Sequence, residues 1–275
     1  MKNLRVLSFF VFLVFTQVVF SQNRLNLETG KKYEKTTTTN STTTMRMMGQ
    51  EMEMIQKEKS VSLLEIIAEK EDYFEFTNTL TAVQVSVEQM GQEASFDSEK
   101  AAGEQGPLAE AYEDYLNKER KIKIDKTGKV VKPEDEEDQE KLEEELANSQ
   151  EAFTMFIALP EEIAVGKTWT ENQSFHTDEV EIESNKTYEV KAIEENLITL
   201  NLSGDININQ EMVNQGTEVK SKLKGSLTGE IIVDKNSHVV KKEESFTKME
   251  GNTHTSGMDI PMQVNTTTNT SIKEI

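Results

Sequence analysis

The chain has no cysteine, three histidines, four prolines and one tryptophan among its 275 residues. Without cysteine there is no disulfide, no thiolate nucleophile, no thiolate metal site and no cysteine to carry a lipid anchor. With only His176, His238 and His254, a Ser-His-Asp triad needs one of these imidazoles held beside a serine. His238 falls at an expected turn and the other two in polar segments, so all three read as surface residues. No Gly-x-Ser-x-Gly elbow is present: Gly225-Ser226-Leu227-Thr228-Gly229 misplaces its serine in an alternating strand. Phosphate-cradling glycine loops, His-Glu-x-x-His and calcium-loop patterns are also absent from the sequence. Trp169 alone offers little aromatic surface to a sugar, and 50 acidic residues make carboxylate pairs unspecific. The reading is therefore not an enzyme and uses no cofactor, with a carboxylate-dependent hydrolase as the catalytic alternative.

Long apolar runs are equally scarce. The one strong run, Val6 to Phe15 broken only by Ser8, follows Lys2 and Arg5 and precedes Val19, Ser21 and Gln22. It is shorter than the roughly 20 residues a spanning helix needs, and its order of charge, apolar run and small residues is that of a cleavable signal peptide over 1–21. Export follows as the expectation: periplasmic, outer-membrane-associated or secreted, with no transmembrane segment after cleavage. The remaining chain carries 50 acidic against 28 basic residues, a net of −22. That balance argues against nucleic acid, whose binding needs clustered Lys and Arg, and against anionic lipid surfaces.

What is abundant is Thr, Ser, Asn, Val and Ile in alternation, the pattern of half-buried strands. Ile198, Leu200, Leu202, Ile206 and Ile208 share one face; Val219, Leu223, Leu227, Ile231 and Val233 share the next, with Lys220, Lys222 and Lys224 opposite. Phase slips near Thr81-Ala82 and between Leu63 and Leu64 suggest β-bulges. The Thr run 36–44 and Thr266 to Ser271 read as polar strands. Two helices are expected. One follows Gly106-Pro107, over about 107–119. The other, 134–157, opens on a dense acidic stretch and places Leu142, Leu146, Phe153 and Phe156 on one stripe. The fold class is mainly β (α+β): two related halves of long curved antiparallel sheet or half-barrel with two packed helices.

Three fragments recur in order. Gly30-Lys31-Lys32-Tyr33 returns as Gly166-Lys167-Thr168-Trp169, and Glu65 to Glu71 as Glu189 to Glu195. Ile124 to Val131, with its Asp125-Lys-Thr-Gly128 turn, returns as Val233 to Val240. A period above 100 residues is a duplicated domain and not a solenoid. The halves are 22–133, with an inserted helix, and 158–275, joined by the acidic linker helix 134–157. Half two runs straight through the point where half one carries its inserted helix, and gains a final hairpin. Met48-Gly49-Gln50-Glu51 and Met90-Gly91-Gln92-Glu93 are a smaller recurrence, read as turns.

An early Gly-Lys-x-Tyr strand, a Thr run, a Met-x-Met-Met-Gly-Gln-Glu-Met turn, a Gly-Pro-Leu helix and an Asp-x-x-Gly-x-Val-Val hairpin occur in sequence. On these motifs the chain resembles an uncharacterised exported domain-of-unknown-function family common in the Bacteroidota. The resemblance implies an envelope location and supplies no catalytic residues.

The function expected is a non-catalytic exported envelope protein whose curved sheet binds a lipid-like or other hydrophobic small molecule, with the helices as lids. One alternative is a structural or protein-interaction module of the envelope. Another is a copper-binding periplasmic protein. Met45, Met47, Met48, Met52 and Met54 cluster around one expected turn, Met258 and Met262 lie near His254, and thioethers are soft ligands that select Cu(I). The metal candidates are thus Met45, Met47, Met48, Met52, Met54 and His254.

Overall fold

The computed structural model describes residues 24–47, 49–100, 107–113, 115–131, 155–176, 180–214 and 217–275, without the side chains of residues 175, 212–214 and 217. The expected signal peptide 1–21 and most of the expected linker helix 134–157 lie outside these residues.

Eleven strands form one antiparallel sheet. They are β1 (Lys32–Met47), β2 (Gln50–Glu69), β3 (Tyr73–Gln89), β4 (Gln92–Asp97), β5 (Glu119–Asp125), β6 (Thr168–His176), β7 (Val180–Glu194), β8 (Leu197–Asn214), β9 (Thr217–Asp234), β10 (Val240–Thr255) and β11 (Met258–Glu274). The spatial order is β4-β3-β2-β1-β11-β10-β9-β8-β7-β6, with β5 also on β3 below β4. Its strands reach 20 residues, well beyond the usual five or six.

Repetition is visible in the register. Tyr33 opposes Leu64 as Trp169 opposes Tyr188, and Ile66 opposes Phe76 as Val190 opposes Leu200. Phe74 opposes Ile124 as Ile198 opposes Val233. Bulges fall at equivalent places, between Ile66 and Ala68 and between Val190 and Ala192. Gly30 and Gly166 donate equivalent backbone hydrogen bonds to Ile66 and Val190, both at 2.8 Å. Where the second repeat has one unbroken β9, the first has β4, the insertion and β5. The β10–β11 hairpin joins the two repeats by pairing with β9 on one side and β1 on the other.

Several expectations need correction. The sheet is continuous and is not divided into two. Among the described residues there is one helix, α1 (Pro107–Glu113), which is shorter than the expected 107–119 because the chain turns at Tyr115 and enters β5 at Glu119. It packs at the sheet edge, where Tyr112 stacks on Phe96 of β4 at 6.2 Å, and so is not a lid. Phe156, expected on a helical stripe, lies in an extended buried segment and bridges Val239. The slip at Leu63/Leu64 is absent: Ser60, Ser62, Leu64 and Ile66 keep one buried phase, and the extra residue is Ile67. Val61 and Leu63 are apolar residues on the opposite face, which alternation alone misreads as a phase change. The slip near Thr81 is real: Thr81 is the extra residue, and its hydroxyl donates to the Val61 carbonyl at 3.0 Å.

One face of the sheet is inward. At the end where β1 begins, that face holds the core, including Tyr33, Leu64, Ile66, Phe74, Phe76, Val190, Ile198, Leu200, Val233 and Val240. Residues 24–27 and 155–159 plug this end. The Leu25 amide donates to Lys126, the Ile157 amide to His238 and the Val240 amide to Met155. Each plug is thus tied to the Asp turn of one repeat. Phe156 meets Phe76 of β3 with ring centroids 5.5 Å apart and bridges Val239 just before β10, so strands four places apart in the sheet share one core with the plug between them. Only a strongly curled sheet allows that.

Candidate functional site

Cross-strand neighbours in a ladder share a face, so the inward surface can be read row by row. One row runs Val83, Ser60, Thr37, Thr270, Glu243, Ile231, Leu200, Val190, and every member is buried. The two rows above it carry Glu58, Thr39, Thr268, Ser245, Gly229, Leu202 and Tyr188, then Gln56, Ser41, Thr266, Thr247, Leu227, Gly204 and Lys186. The inward face therefore turns from apolar core to a hydroxyl-rich belt.

Higher still it becomes apolar again. Met54, Thr43, Val264, Met249, Gly225 and Ile206 form one row. The row beyond is Met52, Met45, Met262, Gly251, Leu223, Ile208 and Ile182. Most of these side chains are half-buried, against the full burial of the core rows. Among the described residues no helix crosses this end. The described residues thus form a trough plugged below and open above.

Glycines shape it. A β-carbon on Gly251 would collide with the Lys222 carbonyl, and one on Gly225 with the Lys248 carbonyl. The backbones of β9 and β10 close on each other there, and only glycine permits the bend. The opposite face is hydrophilic: Lys57, Lys59, Lys222, Lys224, Glu244 and Glu250 are all exposed. A bilayer-spanning barrel has an apolar outward band; this sheet has the reverse polarity.

Two charged groups at and just below the lower margin of the belt escape sequence reasoning. Lys35 is 3 % exposed and Glu243 7 % exposed, both inside alternating strands where the pattern marks only a position and not its chemistry. Burial pushes the Glu243 carboxyl above its ordinary range, against the opposing pull of Lys186, a Ser245 hydrogen bond and Lys35. Lys186 and Lys35 sit on β7 and β1, on opposite sides of β10, so their joint influence is a further sign of curling. Burial likewise raises the Tyr188 phenol, whose hydroxyl reaches Glu171 at 3.5 Å.

The sequence-proposed metal candidates divide. Met45 and Met52 are direct cross-strand neighbours, Met54 lies one row below, and Met47 is at the lip opposite Gln50. Met48 lies outside the described residues. His254 is on the other face, where its Nδ1 lies 2.8 Å from Asp259, and so cannot join the methionines. The sequence missed Met249, and it grouped Met262 with His254 because the two are close along the chain. His238, expected on the surface, is 3 % exposed against the plug, and burial pushes its imidazole pKa down. A shallow depression of about 370 Å³, bounded by Leu159, Glu161, Glu162, Ile163 and Lys235, lies away from the trough and sets two apolar side chains among three charged ones.

The class so defined is a one-layer, curled antiparallel sheet with a plugged end, a polar outer face and no recognisable catalytic constellation among the described residues. The chain belongs to a Family of unknown function (DUF6263), whose profile matches it twice, over residues 71–152 and 134–240. No curated protein matches it. Among solved structures it is similar in fold to lipovitellin, from a study of lipid–protein interactions in that protein, with a TM-score of 0.50 and 10 % identity over 90 % of this chain. The chain spans 25 % of the lipovitellin chain's length. An outer membrane channel from Pseudomonas putida F1 aligns over 91 % of this chain and 98 % of its own at 8 % identity, with a TM-score of 0.26. OccK7 from Pseudomonas aeruginosa covers 90 % and 100 % at 6 % identity, with a TM-score of 0.27. Scores of that size do not establish a common fold.

Proposed function

We propose that this is a non-catalytic exported envelope protein that holds an amphiphilic, lipid-like molecule in the trough. The observation that carries the reading is the pair of half-buried apolar rows above the hydroxyl belt. Leu227, Ile206, Ile208 and Val264 offer surface to an alkyl chain, and Thr39, Thr266, Thr268 and Ser245 offer hydroxyls to a polar group. Removing such apolar area from water is worth roughly 25 cal/mol per Å². The sheet likeness to lipovitellin, a protein studied for its lipid–protein interactions, supports the same reading. Export itself rests on the 1–21 segment.

The test is extraction and mass spectrometry of protein purified without detergent, followed by titration with a fluorescent long-chain fatty acid. An amphiphile should copurify. Ile206→Asp and Ile208→Asp should weaken fatty-acid binding by about tenfold or more, a loss of at least 1.4 kcal/mol, with the β-sheet circular dichroism unchanged. A protein that extracts clean and takes up no fatty acid would overturn the reading.

A further inference from the structure

Three methionines meet at the open end of the trough. Met45 of β1 has Met52 of β2 directly opposite on one side and Met262 of β11 directly opposite on the other. All three are half-buried on the inward face. Directly opposed residues have β-carbons about 4.5–5.5 Å apart, and inward curling shortens the distance between side-chain ends. Methionine has three rotatable bonds and a polarisable sulfur at the third heavy atom past Cα. The outer two can therefore lean over the central one. On the far side of Met262 the partner is Gly251, which has no side chain to compete for the space. The Thr253 hydroxyl lies 3.9 Å from the Met262 sulfur and steadies it. Met54 and Met249 stand in the next row down and enlarge the sulfur-rich patch.

The donor set is selective by chemistry. Among the described residues no group of three or more His, Cys, Asp or Glu side chains could hold a metal ion, so the hard and borderline alternatives are missing. The nearest inward neighbours, Thr43, Val264 and Leu223, are uncharged. Neutral sulfur ligands in a half-dry site cannot offset a double charge, whose desolvation cost rises with the square of the charge. A single charge on a soft ion meets both conditions, since thioethers select Cu(I) among the biological metals.

We propose that Met45, Met52 and Met262 form a thioether site for a soft monovalent cation of the Cu(I) class. The site differs from the sequence expectation in its members: it leaves out His254 and gains Met262 from a strand more than 200 positions away.

Methyl-labelled methionine NMR of the whole protein, titrated with Ag(I) as an air-stable probe and with Cu(I) under reductant, tests it. The Met45, Met52 and Met262 methyls should shift together and saturate at one equivalent, with Met54 and Met249 following weakly and exposed Met90 unmoved. The triple variant Met45→Leu, Met52→Leu, Met262→Leu keeps apolar volume and loses the sulfur. It should bind Ag(I) and Cu(I) at least tenfold more weakly, a loss of about 1.4 kcal/mol or more, while melting normally. Unchanged metal affinity in that variant, shifts at Met90 in place of the three, or equal competition by Zn(II) would overturn the site. Fatty-acid binding is read separately, so its absence would sink the amphiphile reading and leave this one standing.

Discussion

The two ends of the inward face are made by the same strands and differ in nearly everything else. At the plugged end, Phe74, Phe76, Ile198, Leu200 and Val233 are at most 1 % exposed and tied into one core with residues 155–159. At the open end, the equivalent face of β1, β8 and β11 carries Met45, Ile206, Ile208 and Met262, all half-buried with no described helix above them. Stability should therefore reside at one end and ligand access at the other. A sheet whose strands run past their own core spends ordered backbone on surface that folding alone does not need, which is the pattern expected of a binding face.

The sharpest way to break this comparison is a matched pair of truncations. Phe76→Ala removes a ring that packs on Phe156 and should cost about 3–5 kcal/mol in urea unfolding. Met45→Ala at the open end should cost only about 1 kcal/mol, since its site is already part-hydrated. Equal losses would mean that the open end is as well packed as the core.

Much of this architecture was legible in the chain. Alternation found the strands, and the three recurring fragments found the repeat. What was not legible depends on curvature and on chain segments without periodicity. Residues 155–159 are apolar in every register, so nothing in their spacing separates a helix from an extended plug. Met262 and His254 are neighbours in sequence, but the turn between β10 and β11 sends them to opposite faces. Register is the missing information: it follows from which strands pair, and β1 pairs with a strand at the other end of the chain.

A second way to sharpen the comparison is through the bend between the two ends. Gly→Ala normally stabilises by roughly 0.4–1 kcal/mol where the backbone tolerates it. Gly251→Ala should reverse that sign and cost about 1–3 kcal/mol, because the new methyl meets the Lys222 carbonyl and the strands must part. Loss of fatty-acid binding together with stability would show that the bend shapes the trough; loss of stability alone would confine its role to the fold.

Smaller effects should come from the Asp turns that seat the plug. Asp234 accepts hydrogen bonds from the backbones of Asn236 and Ser237 and from the Ser237 hydroxyl, at 2.8–3.1 Å. Asp125 does the same with Thr127 and Lys129. Asp234→Ala should cost about 1–2 kcal/mol. Burial alone would raise the Asp234 carboxyl, but the Ser237 and Asn236 hydrogen bonds outweigh it and hold its pKa below the ordinary 3.8. Its contribution is thus present above that value and fades as pH falls through the lower folded pKa. Asp234→Ala should accordingly lose its effect in melts taken at progressively more acid pH; a constant deficit from pH 7 to pH 2 would contradict the assignment.

The smallest effect concerns Glu243, where belt and core meet. Its pKa is raised, chiefly by burial, above the ordinary 4.5, so the folded protein holds this proton more tightly than the unfolded chain does. Protonated Glu243 therefore favours folding at low pH, and that advantage is lost as pH rises through the folded pKa. Once ionised, the carboxylate is a burden that Lys186, Lys35 and the Ser245 hydroxyl lighten without cancelling. Gln has the shape of the protonated acid and no charge to desolvate. Glu243→Gln should thus melt higher than the parent at pH 7, with the two curves converging below about pH 4, the range in which both states bind the proton. A burdensome carboxyl kept at the margin of a hydroxyl belt is what a polar-group contact would require. If Glu243→Gln gains stability and loses fatty-acid affinity in the same sample, the belt belongs functionally to the open end; if it gains stability and binds as before, the belt is the upper margin of the core.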